Sequence, residues 1–307
     1  MRFAVIDLGT NTFHLLIKEN QEVLFNTSIA AKIGMGGIGI KQILPDAFER
    51  ALSVFEVFTK KLSEFNVDLT NVHAFGTSAI RNADNQTEFV NFIKEKTGIS
   101  ISVIDGLEEA NLIYLGVKNA VNILENSLIV DIGGGSVEFI ICNAEKILWK
   151  HSFEIGGLRL MEKFMKKDPL PPTEIQKMDT YFQTELLPLA NAIHQYHPKI
   201  MVGSSGSFDT LNDLYFNKTT GNFPPENQAG FEYPLSEFWI AFESLVFANK
   251  EQRMALKGMI PLRVDMIVVA VCLIKYLIQT FGVEQIKISN YALKEGAAYK
   301  IQSENAY

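Results

Sequence analysis

A chain of 307 residues with 47% apolar content suits two globular domains, each long enough for its own core, and its two cysteines, Cys142 and Cys272, stand at no metal or redox spacing. The net charge of -7, split as 11 basic against 14 acidic residues up to residue 124 and 17 against 21 beyond it, excludes the broad basic face that nucleic acid requires. The first residues lack a signal-peptide pattern and the longest apolar run, Met266 to Ile274, falls short of the ~20 residues that span a bilayer, so a cytoplasmic protein with no membrane partner is expected.

The chain opens on two β-type runs, Phe3 to Leu8 and Phe13 to Lys18, joined by the turn-prone Gly9-Thr10-Asn11-Thr12, with a third around Val23 to Phe25. Pro45 starts a helix to about Phe65, whose Phe48, Leu52, Phe55, Phe58, Leu62 and Phe65 recur at helical spacing and read as core. A strand at Val72 to Phe75, a helix over Asn85 to Lys96 stopped by Gly98, a strand at Ile99 to Ile104 and a helix over Glu108 to Val121 follow. Strands then recur at Leu128 to Ile132, Val137 to Cys142 and Ile147 to Phe153. Helices are predicted over Leu158 to Lys166 and Thr173 to Tyr196, and a strand at Lys199 to Val202 runs into Gly203-Ser204-Ser205-Gly206-Ser207. Helical stretches at Leu235 to Asn249, Gln252 to Lys257 and Val264 to Phe281 precede a last strand, Gln285 to Ser289. Such alternation argues an α/β fold with a mixed sheet.

The two halves align without a gap at a spacing of 124 positions, setting Asp7-Leu8-Gly9-Thr10-Asn11-Thr12-Phe13 over Asp131-Ile132-Gly133-Gly134-Gly135-Ser136-Val137. Each is an apolar strand ending in Asp-x-Gly, a small-residue turn and a returning strand, the mark of a duplicated unit. Turns of Gly, Ser, Thr and Asn can offer backbone amides to phosphate oxygens, and the Asp beside each suits a hard cation such as Mg2+. One such hairpin would be weak evidence, because glycine in a turn usually serves backbone geometry alone; a matched pair is stronger.

Several ordered motifs carry a resemblance that covers nearly the whole chain: the two hairpins, Gly76-Thr77-Ser78-Ala79-Ile80-Arg81-Asn82-Ala83, Asp105-Gly106-Leu107-Glu108-Glu109-Ala110, the Gly203 loop, Arg263-Val264-Asp265 and Leu293-Lys294-Glu295-Gly296. The sequence resembles the exopolyphosphatase and guanosine pentaphosphate phosphohydrolase (Ppx/GppA) family, within the superfamily of actin, sugar kinases and heat-shock chaperones. The resemblance implies two duplicated ribonuclease-H-like domains, residues 1–124 and 125–307, each with a mixed five-stranded sheet, an interdomain cleft, and a last helix at about 293–307 that packs back on the first domain. It further implies Mg2+ or Mn2+ as cofactor, a homodimer, and release of the terminal phosphate of inorganic polyphosphate, or alternatively of guanosine pentaphosphate.

By the same resemblance Glu109 is the residue that orients or deprotonates water, with Glu108 as its adjacent rival, since helix geometry lets only one of the two face the ligand. Glu138 matches the second catalytic Glu and is also a metal ligand with Asp131; Asp7 is either their counterpart or the cap of its own turn. Phosphate contacts are expected from Gly9, Thr10 and Asn11, from Gly133, Gly134, Gly135 and Ser136, from Gly206 and Ser207, and from Arg81 and Arg263, two of only six arginines. Either arginine could instead be an ordinary surface ion pair. The position equivalent to Glu138 in the first repeat is His14, read as a strand histidine without a catalytic role. The loop Gly203-Ser204-Ser205-Gly206-Ser207 departs from the family's usual Gly-Gly-Thr, and the chain lacks the extra helical domains of longer relatives, so shorter substrates should be preferred. A sugar or carboxylate kinase and a non-catalytic polyphosphate or nucleotide sensor are the competing readings.

Overall fold

The computed structural model describes residues 2–225 and 227–304. Alternating apolar residues make Arg2–Leu8 (β1), Thr12–Glu19 (β2) and Glu22–Ala30 (β3) an antiparallel meander. The helix Pro45–Glu64 (α1) starts with proline at its first position, where the missing N–H costs nothing. It buries Phe48, Val54, Phe55, Phe58 and Leu62, and Phe55 meets Phe13 of β2 edge to face at 6.0 Å. Each such side chain contributes about 1.5–3 kcal/mol on burial. Val72–Gly76 (β4), Ser78–Arg81 (α2), Gln86–Thr97 (α3), Ile101–Val103 (β5) and Gly106–Ala120 (α4) follow, α3 ending at Gly98 with φ 76°. β4 and β5 run parallel to β1, giving the sheet order β3-β2-β1-β4-β5.

The second sheet repeats this plan. Ser127–Ile132 (β6), Val137–Cys142 (β7) and Ile147–Phe153 (β8) form the antiparallel meander. The helices Gly157–Phe164 (α5), Pro172–Glu185 (α6) and Leu187–Tyr196 (α7) lead to Ile200–Ser204 (β9). Gly206–Thr220 (α8), Gly230–Tyr233 (β10), Leu235–Val246 (α9), Lys250–Met254 (α10), Met266–Phe281 (α11) and Gln285–Ser289 (β11) complete it. β9 and β11 are parallel to β6, so β8-β7-β6-β9-β11 has the order and directions of the first sheet, with β10 added antiparallel at the edge. Leu293–Glu304 (α12) returns to β1 and β2. One unit comprises residues up to Gly116 together with the segment from Leu293, and the other Val117–Ala292. Each holds its own apolar core, the second built around α11, whose residues 266–274 are all buried.

The architecture is α/β with two mixed sheets, but the second has six strands, not five. β10 escapes sequence reading because its four residues lie between Pro225 and Pro234 and are too short to show a period. The helix expected over Thr173 to Tyr196 is two, broken at Leu186, two residues before Pro188, whose ring disfavours helical backbone before it. α8, beyond the Gly203 loop, was not evident either: its Gly, Asp, Asn and Thr are poor helix formers, and it is held by the buried Phe208 and Leu211.

Candidate active site

In the second unit, strand alternation sends Leu128, Val130, Ile132, Val137, Phe139 and Ile141 into the core and Asp131 and Glu138 to the opposite face. Those two carboxylates stand directly opposite each other across β6 and β7, which puts their Cβ atoms about 4.5–5.5 Å apart. Both are buried, at 5% and 1% exposure. Asp131 Oδ2 accepts hydrogen bonds from Ser204 Oγ and Ser205 Oγ, each at 2.7 Å, and Glu138 Oε1 accepts one from Ser152 Oγ at 2.6 Å. Burial pushes the Asp131 carboxyl above its ordinary range, while the two serines and the charge of Arg263 pull it back. Two buried carboxylates on one face need a proton or a cation beside them. The pair fits Mg2+, which takes one or two carboxylates and completes its shell with water and phosphate oxygens. Among the described residues no group of three or more His, Cys, Asp or Glu could hold a metal.

Both hairpins are tied down in the same way. Gly9 N donates to Thr12 O at 3.1 Å and Gly133 N to Ser136 O at 3.0 Å. The carbonyls of Thr10 and Asn11 accept from the amides of Ala31, Lys32 and Gly34; those of Gly133, Gly134 and Gly135 accept from Gly157, Leu158 and Gly156. The amides of Gly134 and Gly135 take part in none of these bonds. Gly156 must lack a side chain, since a Cβ there would lie 2.4 Å from Gly135 C.

The loop after β9 shapes the rest of this half. Ser205 has φ 67° and ψ 175°, a conformation nearly confined to glycine, and it places the hydroxyl that reaches Asp131. Gly206 follows at the start of α8, and a Cβ there would fall 1.8 Å from Arg263 Nη2, so the guanidinium packs flat on the Gly206 backbone. Burial lowers the Arg263 pKa and the charges of Asp209 and Asp131 oppose that, leaving a charged arginine at the N-terminus of α8. Ser207 Oγ is buried without a hydrogen-bond partner.

In the first unit the end of β1 continues into a second set. Leu8 O accepts from Thr77 N and Thr77 Oγ1, and Arg81 N donates to Thr77 O, which sets Arg81 beside the first hairpin's strand. Arg81 Nη1 donates to Glu109 Oε2 at 2.6 Å and to Ile104 O at 3.2 Å. Asp105 Oδ1 accepts from Leu107 N and Glu108 N, fixing the start of α4. Glu109 is therefore the buried member of the acidic pair, whereas Glu108 pairs with Lys300 of α12 at 2.7 Å. Asp7 is half-buried and stands opposite His14, whose Nδ1 lies 2.6 Å from Ser28 Oγ.

The structure thus gathers Asp131, Glu138, the second hairpin, Gly206, Ser207 and Arg263 in one unit, and Arg81 with Glu109 in the other, which also carries Asp7 and the Gly9-Thr10-Asn11 turn. Sequence reading missed Ser152, Ser204 and Ser205 as carboxylate partners, and Asp209 and Asp213 on α8. One signal was available: the 124-residue spacing sets Ser152 over Ser28, and each serine faces the residue at the Glu138 or His14 position.

Matched meanders, paired glycine hairpins and two independent cores define a duplicated ribonuclease-H-like α/β protein. A model of the Ppx/GppA phosphatase family matches residues 4–305, and the chain belongs to that family of phosphatases. It is similar to an exopolyphosphatase of Cytophaga hutchinsonii, with 41% identity and a TM-score of 0.95 over 99% of this chain and 98% of that one. The Ppx/GppA family member of Aquifex aeolicus shares the fold, at 24% identity and a TM-score of 0.80 over 99% of each chain.

Proposed function

We propose that the protein is a Mg2+-dependent exopolyphosphatase that hydrolyses the terminal phosphoanhydride of inorganic polyphosphate. The observation that carries this reading is the buried Asp131–Glu138 pair beside a glycine-rich turn; the likeness to the Cytophaga hutchinsonii exopolyphosphatase supports it. Phosphoryl transfer to water needs positioning and charge neutralisation more than covalent help. In this reading Asp131 and Glu138 hold the metal, which neutralises charge on the phosphate oxygens. The amides of Gly134 and Gly135, the Ser207 hydroxyl and Arg263 bind the phosphate chain, with Gly9, Thr10 and Asn11 doing so in the first unit. Glu109, held by Arg81, accepts a proton from the attacking water, and Arg81 itself contacts phosphate.

A second reading, hydrolysis of guanosine pentaphosphate, is favoured by one observation. A cavity of 260 Å³ lined by Asp209, Asn212, Asp213, Phe223 and Asn290 opens on α8, where both polar atoms of the buried Asn212 amide lack a partner. The exposed ring of Phe223 on the wall of that cavity would stack on a purine. The test is phosphate release from short polyphosphate, long polyphosphate and pppGpp, measured side by side with Mg2+. Higher kcat/KM on polyphosphate supports the first reading and higher kcat/KM on pppGpp the second. No release from any of them above a Glu109→Gln control overturns both and leaves a sensor.

A further inference from the structure

Glu109, Asp131, Glu138 and Arg253 are the buried charged residues among those described, each less than a tenth exposed, and Arg253 alone has no part in the site above. It lies on α10 with no exposed surface. Nε donates to Val264 O at 2.8 Å, and Nη1 donates to Asp168 Oδ1 at 2.7 Å and to Ala248 O. Nη2 is 3.7 Å from Asp265 Oδ1, beyond hydrogen-bond distance, and makes no hydrogen bond. Around it Lys250 N donates to Asp168 Oδ2 and Lys250 Nζ to Asp265 Oδ2, both at 2.6 Å.

Two of these contacts fall on the residues after Arg263: the bond from Arg253 Nε to Val264 O and the bond from Lys250 Nζ to Asp265 Oδ2. Between α10 and α11 Arg263 lies in a turn that leads into α11, its N–H donating to Ile260 O at 3.0 Å and its carbonyl accepting from Ile267 N at 2.9 Å. The Val264 carbonyl is held by one nitrogen of a buried fork and the Asp265 carboxylate sits between Lys250 and the same fork. Burying a guanidinium is costly unless its donors are matched, and a cheaper apolar core residue could fill the space. What such a residue could not do is grip a carbonyl and a carboxylate in fixed directions.

We infer that Arg253 is a positioning residue: through Val264 and Asp265 it holds Arg263 flat on Gly206, and so sets the affinity of the α8 N-terminus for phosphate. The inference rests on the reading of Arg263 as a phosphate contact. Lysine at 253 keeps length and charge but, as a point donor, cannot serve Val264 O and Asp168 together.

The experiment is a double-mutant cycle on the full chain with Arg253→Lys and Arg263→Ala, reading Kd for inorganic tripolyphosphate by calorimetry, kcat and KM for its hydrolysis, and Tm. Each single variant is expected to raise Kd and KM about tenfold with kcat changed less than about threefold, and the double variant to bind no more weakly than Arg263→Ala alone. Additive losses, or an Arg253→Lys variant that lowers Tm while Kd stays at the wild-type value, overturn the inference and leave Arg253 a packing residue. An Arg263→Ala variant equal to wild type instead overturns the reading of Arg263, and the inference with it. Should Arg253→Lys fail to fold, Asp168→Asn, whose side chain is partly exposed, replaces it in the cycle with the same criteria and about a threefold effect.

Discussion

The two units repeat one another strand for strand, yet their hairpins differ in chemistry. In the second, an Asp–Glu pair lies on the face away from the core, braced by three serines; in the first, the same register sets Asp7 against His14, braced by Ser28. The first unit instead brings its buried carboxylate, Glu109, from α4 and fixes it with Arg81. Duplication conserved the frame and the tied-down turns, because a tight hairpin depends on backbone geometry alone. The groups proposed to bind a cation or move a proton occupy single side-chain positions, which each copy could change without disturbing its core.

The comparison can be broken where the copies diverge. The largest effect is expected for Glu109→Gln, which removes the proposed base while keeping its shape: kcat for phosphate release should fall about 10³-fold, with a lower Tm because Arg81 loses its charged partner. Next, Glu138→Gln should lower kcat/KM about 10²-fold, whereas His14→Gln at the matching position should change it less than about twofold; equal losses would mean that the copies share the metal-binding role. Smaller again, Gly206→Ala should push Arg263 off the α8 N-terminus and raise KM about tenfold, an effect that calorimetry with tripolyphosphate would register as weaker binding.

The smallest effect concerns stability. Burial and the charge of Asp209 push the Asp213 carboxyl up to about 7 from its ordinary 3.8. The folded chain therefore binds that proton more tightly than the unfolded one, so stability is lost as pH rises from 3.8 through about 7. Asp213→Asn should add about 1–2 kcal/mol at pH 8, discounted for the group's partial exposure, and nothing at pH 4. Thermal melts at both pH values read this out, and a gain of equal size at pH 4 would contradict it.

Much of this was legible in the sequence because it depends on local order. The Asp-x-Gly hairpins, the α1 stripe of Phe48, Phe55 and Phe58, and the β6 and β7 alternation follow from period and turn chemistry. The resemblance singled out Glu109, Glu138 and Arg263 by motif. What escaped depends on tertiary contact. Ser152 faces Glu138 only because β8 pairs in that register, α8 folds against its own weak propensity through Phe208 and Leu211, and the choice between Glu108 and Glu109 is made by Arg81 and Lys300, 28 and 192 residues away.

The central claim is that the carboxylate pair of the second copy holds the cation on which hydrolysis depends. Its most direct test is a Mg2+ titration of phosphate release from tripolyphosphate by the wild type, Glu138→Gln and His14→Gln. The half-saturating Mg2+ concentration should rise at least about tenfold for Glu138→Gln and stay at the wild-type value for His14→Gln. An unchanged Mg2+ requirement in Glu138→Gln would contradict it.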